Sequence, residues 1–163
     1  MDHAVTRIAS AALLLLSLLL LAACGSSGPV RRVSEPAANI QQLTVHADGS
    51  WTVELRLDNF SSIPMRFERV DATLAIAGQP PLALHAAPGI SIGPETADVV
   101  DIRLVPSTGA KLAVADALVR DARVSYHLGG TVRATPEKGS SRSYDLDRDN
   151  ALSPVPGLAG VLR

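Results

Sequence analysis

The chain has 163 residues, with 15 basic against 16 acidic side chains, 47% apolar residues, few aromatics and one cysteine. That length suits one ordinary domain, and a balanced charge without a basic run excludes the electropositive face that a nucleic-acid binder needs. A single cysteine excludes an intramolecular disulfide framework and every multi-cysteine metal site.

The first elements in chain order form an address. Met1 to Arg7 is short and polar, and Ile8 to Ala23 is apolar apart from Ser10 and Ser17. Much of the positive mean hydropathy of +0.21 comes from this start. Sixteen residues fall short of the roughly 20 that cross a bilayer, so residues 1–23 read as a secretory signal. Its end, Leu21-Ala22-Ala23-Cys24-Gly25, resembles the bacterial lipobox. The resemblance implies cleavage before Cys24 and acylation of Cys24, an anchor in which each buried CH₂ contributes about 0.8 kcal/mol. Gly25 after the cysteine implies sorting to the outer membrane, facing the periplasm. Asp2 is a departure, leaving Arg7 to supply the positive charge of the signal.

Residues 24–38 carry Gly, Ser and Pro without an apolar period and read as the lipidated cysteine and a flexible tether, spanning about 20 Å. Residues 39–150 read as the globular domain. Leu43 and Val45 are followed by a turn at Asp48-Gly49, then by Trp51, Val53, Leu55 and Leu57 alternating with polar residues. This parity puts Trp51 in the core rather than on a sugar-stacking surface. Met65 and Phe67 hold one parity and Val70, Ala72, Leu74 and Ile76 the other, so a β-bulge is expected at Glu68-Arg69. Leu82 and Leu84 after Pro80-Pro81 read as a short edge strand. Val100, Ile102 and Leu104 form the next run, then Ala122 to Leu128 continuing to Val132, then Tyr144 and Leu146.

One segment breaks the alternation. Residues 109–120 read as a helix with Leu112, Ala115, Leu118 and Val119 on its apolar face and Thr108 as its cap. About seven strands and one late helix predict an all-β protein, an immunoglobulin- or fibronectin-like sandwich. Residues 151–163, with two prolines and two glycines between Leu152 and Gly160, read as an extended tail.

The search for chemistry yields no catalytic residue, no cofactor site and no metal site. His46, His85 and His127 lie on different expected strands, and His127 has solvent-face parity. No GxSxG elbow positions a serine and no P-loop cradles a phosphate. Asp145, Asp147 and Asp149 are spaced like the start of a calcium loop, but Asn150 and Pro156 stand where an EF-type loop has Gly and Glu. Glu54 and Glu68 are single carboxylates without an acid/base partner.

Three stretches carry a family resemblance. Leu55-Arg56-Leu57-Asp58-Asn59-Phe60-Ser61-Ser62-Ile63-Pro64 is similar to the L-x-L-x-N-P-[NS]-x-x-P stretch of the late-embryogenesis-abundant (LEA) group 2 family, the WHy or water stress and hypersensitive response domain. Ala72 to Gly78 resembles its following strand and Gly turn, and Tyr126-His127-Leu128-Gly129-Gly130-Thr131-Val132 its closing Y-x-L-x-G-x-[LV] strand. Phe60 departs from the family's proline, and Gly129 falls at a position that the family leaves variable. The resemblance covers nearly all of residues 39–149. It implies a seven-stranded sandwich with one helix, no catalytic residue and a role in tolerance to drying and other stress. The expectation is a non-enzymatic lipoprotein whose partners are the membrane, through Cys24, and envelope proteins. The competing expectation is an accessory or scaffold lipoprotein of an envelope transport or assembly complex, docking through a sheet edge.

Overall fold

A computed structural model describes residues 31–163; the expected signal, Cys24 and the first residues of the expected tether lie outside the described residues. Strands β1 (Ala37–Val45), β2 (Trp51–Asn59), β3 (Met65–Ile76), β4 (Leu82–Ala86), β5 (Ile90–Ile92) and β6 (Thr96–Leu104) precede helix α1 (Thr108–Arg120). Strands β7 (Val124–Pro136), β8 (Arg142–Leu152) and β9 (Val161–Leu162) follow it. One antiparallel sheet has the order β6-β2-β1-β9 and the other β4-β3-β7-β8, with β5 pairing β3 beside β4. The protein is all-β with one helix, as the alternation predicts.

Apolar side chains at every second position of β2, β3 and β7 meet between the sheets. Trp51, Leu55, Leu57, Phe67, Leu74 and Leu128 are fully buried there. The phase slip in β3 is the expected bulge: Phe67 faces Ala134, Arg69 faces Arg133, and Glu68 has no cross-strand partner. A second bulge lies in β1 between Ile40 and Gln42. Asp48-Gly49 turns the β1–β2 hairpin, with Gly49 at φ 77° and its N–H on the His46 carbonyl at 2.9 Å.

Three expectations are corrected. Residues 151–163 are not an extended tail: β8 runs to Leu152, and the chain loops back to add β9 to the edge of β1. Leu152 and Leu162 are both buried, and Arg163 Nε donates to Gln42 Oε1 at 2.8 Å. The prolines and glycines therefore bend a loop between two buried leucines. The end of the tether is not free either, because Pro36, Ala37 and Ala38 are buried and β1 already starts at Ala37. Backbone bonds hold this stretch, Arg32 N–H to Ser62 Oγ at 2.8 Å and Ser34 N–H to Ser61 Oγ at 3.0 Å, and these leave no apolar period to read.

The third correction concerns α1. Its buried side is Ala110, Val114 and Ala117, whereas Leu112 is 67% and Val119 86% exposed. This side faces β3 and β7, while Leu112 and Val119 face outward. Ser107, not Thr108, is the cap, its hydroxyl accepting the Ala110 N–H at 3.2 Å.

Candidate functional site

The buried residues of the first and third of these stretches serve the fold. Asn59 ends β2 fully buried, and its Nδ2 lies 2.9, 3.1 and 2.9 Å from the carbonyls of Ile63, Ile92 and Gly93. Two protons serve three acceptors, so one is shared. Its Oδ1 accepts the Ser61 N–H at 2.9 Å. Ser61, also fully buried, exchanges bonds with both the N–H and the carbonyl of Ser34. This one cluster joins the 60–64 loop, the β5–β6 connection and the entering chain. An all-apolar loop would leave those backbone groups without partners, which explains asparagine and serine at these positions.

Tyr126 and Gly130 act similarly. The Tyr126 hydroxyl crosses between the sheets and accepts the Ile40 N–H at 3.3 Å, satisfying the donor beside the β1 bulge. Gly130 has φ 142°, and a Cβ there would meet the Asp71 carbonyl oxygen and lie 2.6 Å from the Ala72 Cα. The glycine lets β3 and β7 approach.

The outer face of the β4-β3-β7-β8 sheet gathers the polar candidates. His127 Nδ1 lies 3.0 Å from Asp149 Oδ1 and 3.8 Å from Asp147 Oδ1, while Asp145 faces Thr131 further along β8. Spacing alone separates these residues; the β7–β8 register unites them. His85 Nδ1 lies 3.1 Å from Asp71 Oδ1 on the same sheet, and His46 Nε2 lies 2.7 Å from Thr52 Oγ1 on the other. A His–Asp pair invites comparison with acid/base machinery. The other nitrogen, His127 Nε2, sits 3.0 Å from the place a Gly129 Cβ would take. The ring thus lies along the open strand, its side chain 47% exposed, with no nucleophile bonded to Nε2 among the described residues. No group of three His, Cys, Asp or Glu among the described residues is arranged to hold a metal ion.

Two carboxylates have shifted titrations. Hydrogen bonds from the Ser50 hydroxyl and N–H, helped by Arg103, lower Asp48 to about 2. Glu68, in the bulge, is lowered by the hydroxyls of Thr135 at 2.7 Å and Ser141 at 3.0 Å. Glu54 accepts from Gln42 Nε2 at 2.7 Å on the other sheet, so the two glutamates never meet. Each of these groups is already engaged by its own neighbours.

One concave surface beside the helix is apolar. An open groove of about 670 Å³ runs between α1 and the β8–β9 loop, lined by Leu118, Val119, Pro154, Val155 and Leu158. Val105 before the helix and Leu112 on it are exposed apolar side chains as well. Sequence periodicity assigns this helix face to the core; the packing keeps Leu118 against the core and leaves Leu112, Ala115 and Val119 exposed.

Fold and surface define an antiparallel β-sandwich with a helix at one end, its His–Asp pairs open to solvent. No family model matches the chain, and no curated protein matches it. Solved structures similar to it include a protein from Archaeoglobus fulgidus, at 9% identity and TM-score 0.44, covering 76% of this chain and 98% of that one. A protein from Arabidopsis thaliana has 12% identity and TM-score 0.47, covering 81% and 85%. A third, a proposed LEA protein, has 14% identity and TM-score 0.47, covering 91% and 88%.

Proposed function

We propose that this is a non-enzymatic, lipid-anchored protein of the bacterial cell envelope, periplasm-facing at the outer membrane. Its sandwich is of the LEA group 2 type and protects against drying and related stress through its folded surface. The observation that carries the reading is the use of the motif residues. Leu55, Leu57, Asn59, Ser61, Tyr126, Leu128 and Gly130 are spent on burial, internal hydrogen bonds and close strand approach. The residues that carry the resemblance at these positions are thus spent on specifying this fold. The open, separately paired histidines and carboxylates support the non-enzymatic part. The lipobox around Cys24 supports the anchor.

The anchor is tested by feeding labelled palmitate to cells expressing the chain and its Cys24→Ser variant. Label and membrane partition are expected only with Cys24; labelled lipid on Cys24→Ser overturns the anchor. The stress role is tested by protection of a dried enzyme, developed at the end of the Discussion.

The outward apolar side chains of Val105, Leu112 and Val119 favour a second reading, an accessory lipoprotein that docks an envelope protein. The full-length edge strands β6 and β8 offer backbone donors and acceptors for the same purpose, although the Asp98 and Asn150 side chains already take the Val99 and Ala151 N–H groups at 2.8 Å. A stoichiometric cross-linked partner that Leu112→Glu removes would favour docking over protection.

A further inference from the structure

We infer that the end of the sandwich where the chain enters is a membrane-facing edge, with Phe60 and Val33 seated among the headgroups and upper acyl chains of the bilayer. The inference rests on the proposed anchor at Cys24 and adds which end of the domain meets lipid and through which side chains.

The aromatic residues single this end out. Of the chain's two Phe, two Tyr and one Trp, Trp51, Phe67 and Tyr126 are buried and Tyr144 is half-buried, whereas Phe60 is 50% exposed. The ring is held outward: Asn59 and Ser61 on either side are fully buried and bonded, and Arg32 Nη2 donates to the Phe60 carbonyl at 3.4 Å. Val33, 47% exposed, lies between Arg32 and Ser34, whose backbones bond the same loop. An aromatic ring and a branched apolar side chain fixed at a loop tip match the chemistry of the bilayer interface, where apolar bodies lie beside polar headgroups.

The length of chain before Arg31 points to the same end. Seven steps separate Cys24 from Arg31, and a fully extended chain advances about 3.3–3.6 Å per residue, so the chain between the proposed anchor and Arg31 can reach no further than about 25 Å. The helix groove lies at the opposite end, because β2 runs from Trp51 near that end to Asn59 at this one, a further span of about 30 Å for nine residues.

Charge does not drive the contact, because Phe60 shares a recess with Glu35, Asp145 and Asp147 against Arg148. Arg31, Arg32, Lys138 and Arg142 stand at this end against Glu35, Glu95 and Glu137, and Arg32 pairs Glu95 at 3.1 Å. On one side Phe60 borders Asp145, Asp147 and Arg148 of β8, where the lipid-facing edge ends.

The test uses the full chain, processed in a bacterial host and placed in vesicles of phosphatidylethanolamine with a minority of phosphatidylglycerol. In the lipidated chain the Cys24 sulfur is a thioether, so Phe60→Cys and Val119→Cys each present a single thiol for an environment-sensitive dye. At position 60 the emission is expected to shift blue and to be quenched by a nitroxide on the upper acyl chain; at position 119 it is expected to stay water-like and unquenched. A dye at 60 that lipid nitroxide does not quench overturns the inference and leaves the anchor standing, whether the dye sits in water or against another protein. Quenching at 119 that equals or exceeds that at 60 overturns it too, and turns the helix groove to the membrane. Dye uptake by the unsubstituted chain exposes a free Cys24 thiol and overturns the anchor itself.

Discussion

Asn59→Ala removes the amide that joins three segments at the entry end. The Ile63 and Ile92 carbonyls and the Ser61 N–H lose the partner seen here, while the Gly93 carbonyl keeps the Thr96 hydroxyl at 2.9 Å. A buried polar group left without a partner costs about 1–3 kcal/mol, so three such groups, with some relaxation, cost about 3–6 kcal/mol. That is a large share of the roughly 5–15 kcal/mol that holds a domain folded. Urea unfolding of the chain from Gly25 onward, followed by the fluorescence of buried Trp51, reads the change as a lower midpoint at unchanged slope. Asn59→Asp gives the sign. It keeps an acceptor for Ser61 but turns a carboxylate toward three carbonyls, so at neutral pH it should destabilise at least as much as alanine. Part of that loss should return as pH falls toward about 4, because a carboxyl held among carbonyls takes up its proton above the usual range and can then donate. A loss under about 1 kcal/mol for Asn59→Ala, or a milder effect of Asn59→Asp at neutral pH, would refute the reasoning.

Gly130→Ala should cost about 2–4 kcal/mol in calorimetric unfolding, because its Cβ meets the β3 backbone. Gly129→Ala meets only the movable His127 ring and should cost less than about 1 kcal/mol. Leu112→Glu and Val119→Glu should change stability by no more than about 0.5 kcal/mol, whereas Val114→Glu puts a carboxylate in the core and should abolish the cooperative melt seen by circular dichroism. Acid should weaken the fold in part through Asp48. Its folded value of about 2 lies below the roughly 3.9 of an unfolded aspartate, so its contribution is complete above about pH 4 and disappears as pH falls through 2. Asp48→Asn should therefore flatten the fall of the melting temperature over that interval.

What the sequence reveals here follows from period and parity. The burial of β2, β3 and β7 is legible because one face of each strand is apolar, and the Glu68 bulge because the parity flips there. The β5 strand, three residues between Gly89 and Gly93, and the two-residue β9 are too short to show a period. The helix misleads because Leu112 and Val119 outweigh Ala110 and Ala117 in hydropathy, while the packing buries the small side. The pairing of His127 with Asp149 depends on which strand lies beside β7 and in what register, and alternation carries neither. The links from Arg32 and Ser34 to the 60–62 loop are hydrogen bonds from a segment with no apolar pattern at all.

The central claim, protection by a folded surface without a reacting site, is met most directly by recovery of a test enzyme's activity after drying with the chain from Gly25 onward. The unaltered chain and the triple variant His127→Ala, Asp147→Ala, Asp149→Ala are expected to protect alike, and a chain unfolded by Trp51→Ala to fail. An unrelated sandwich of similar charge is expected to protect less. Equal protection by that control, or its loss through the His127 cluster alone, would contradict the account.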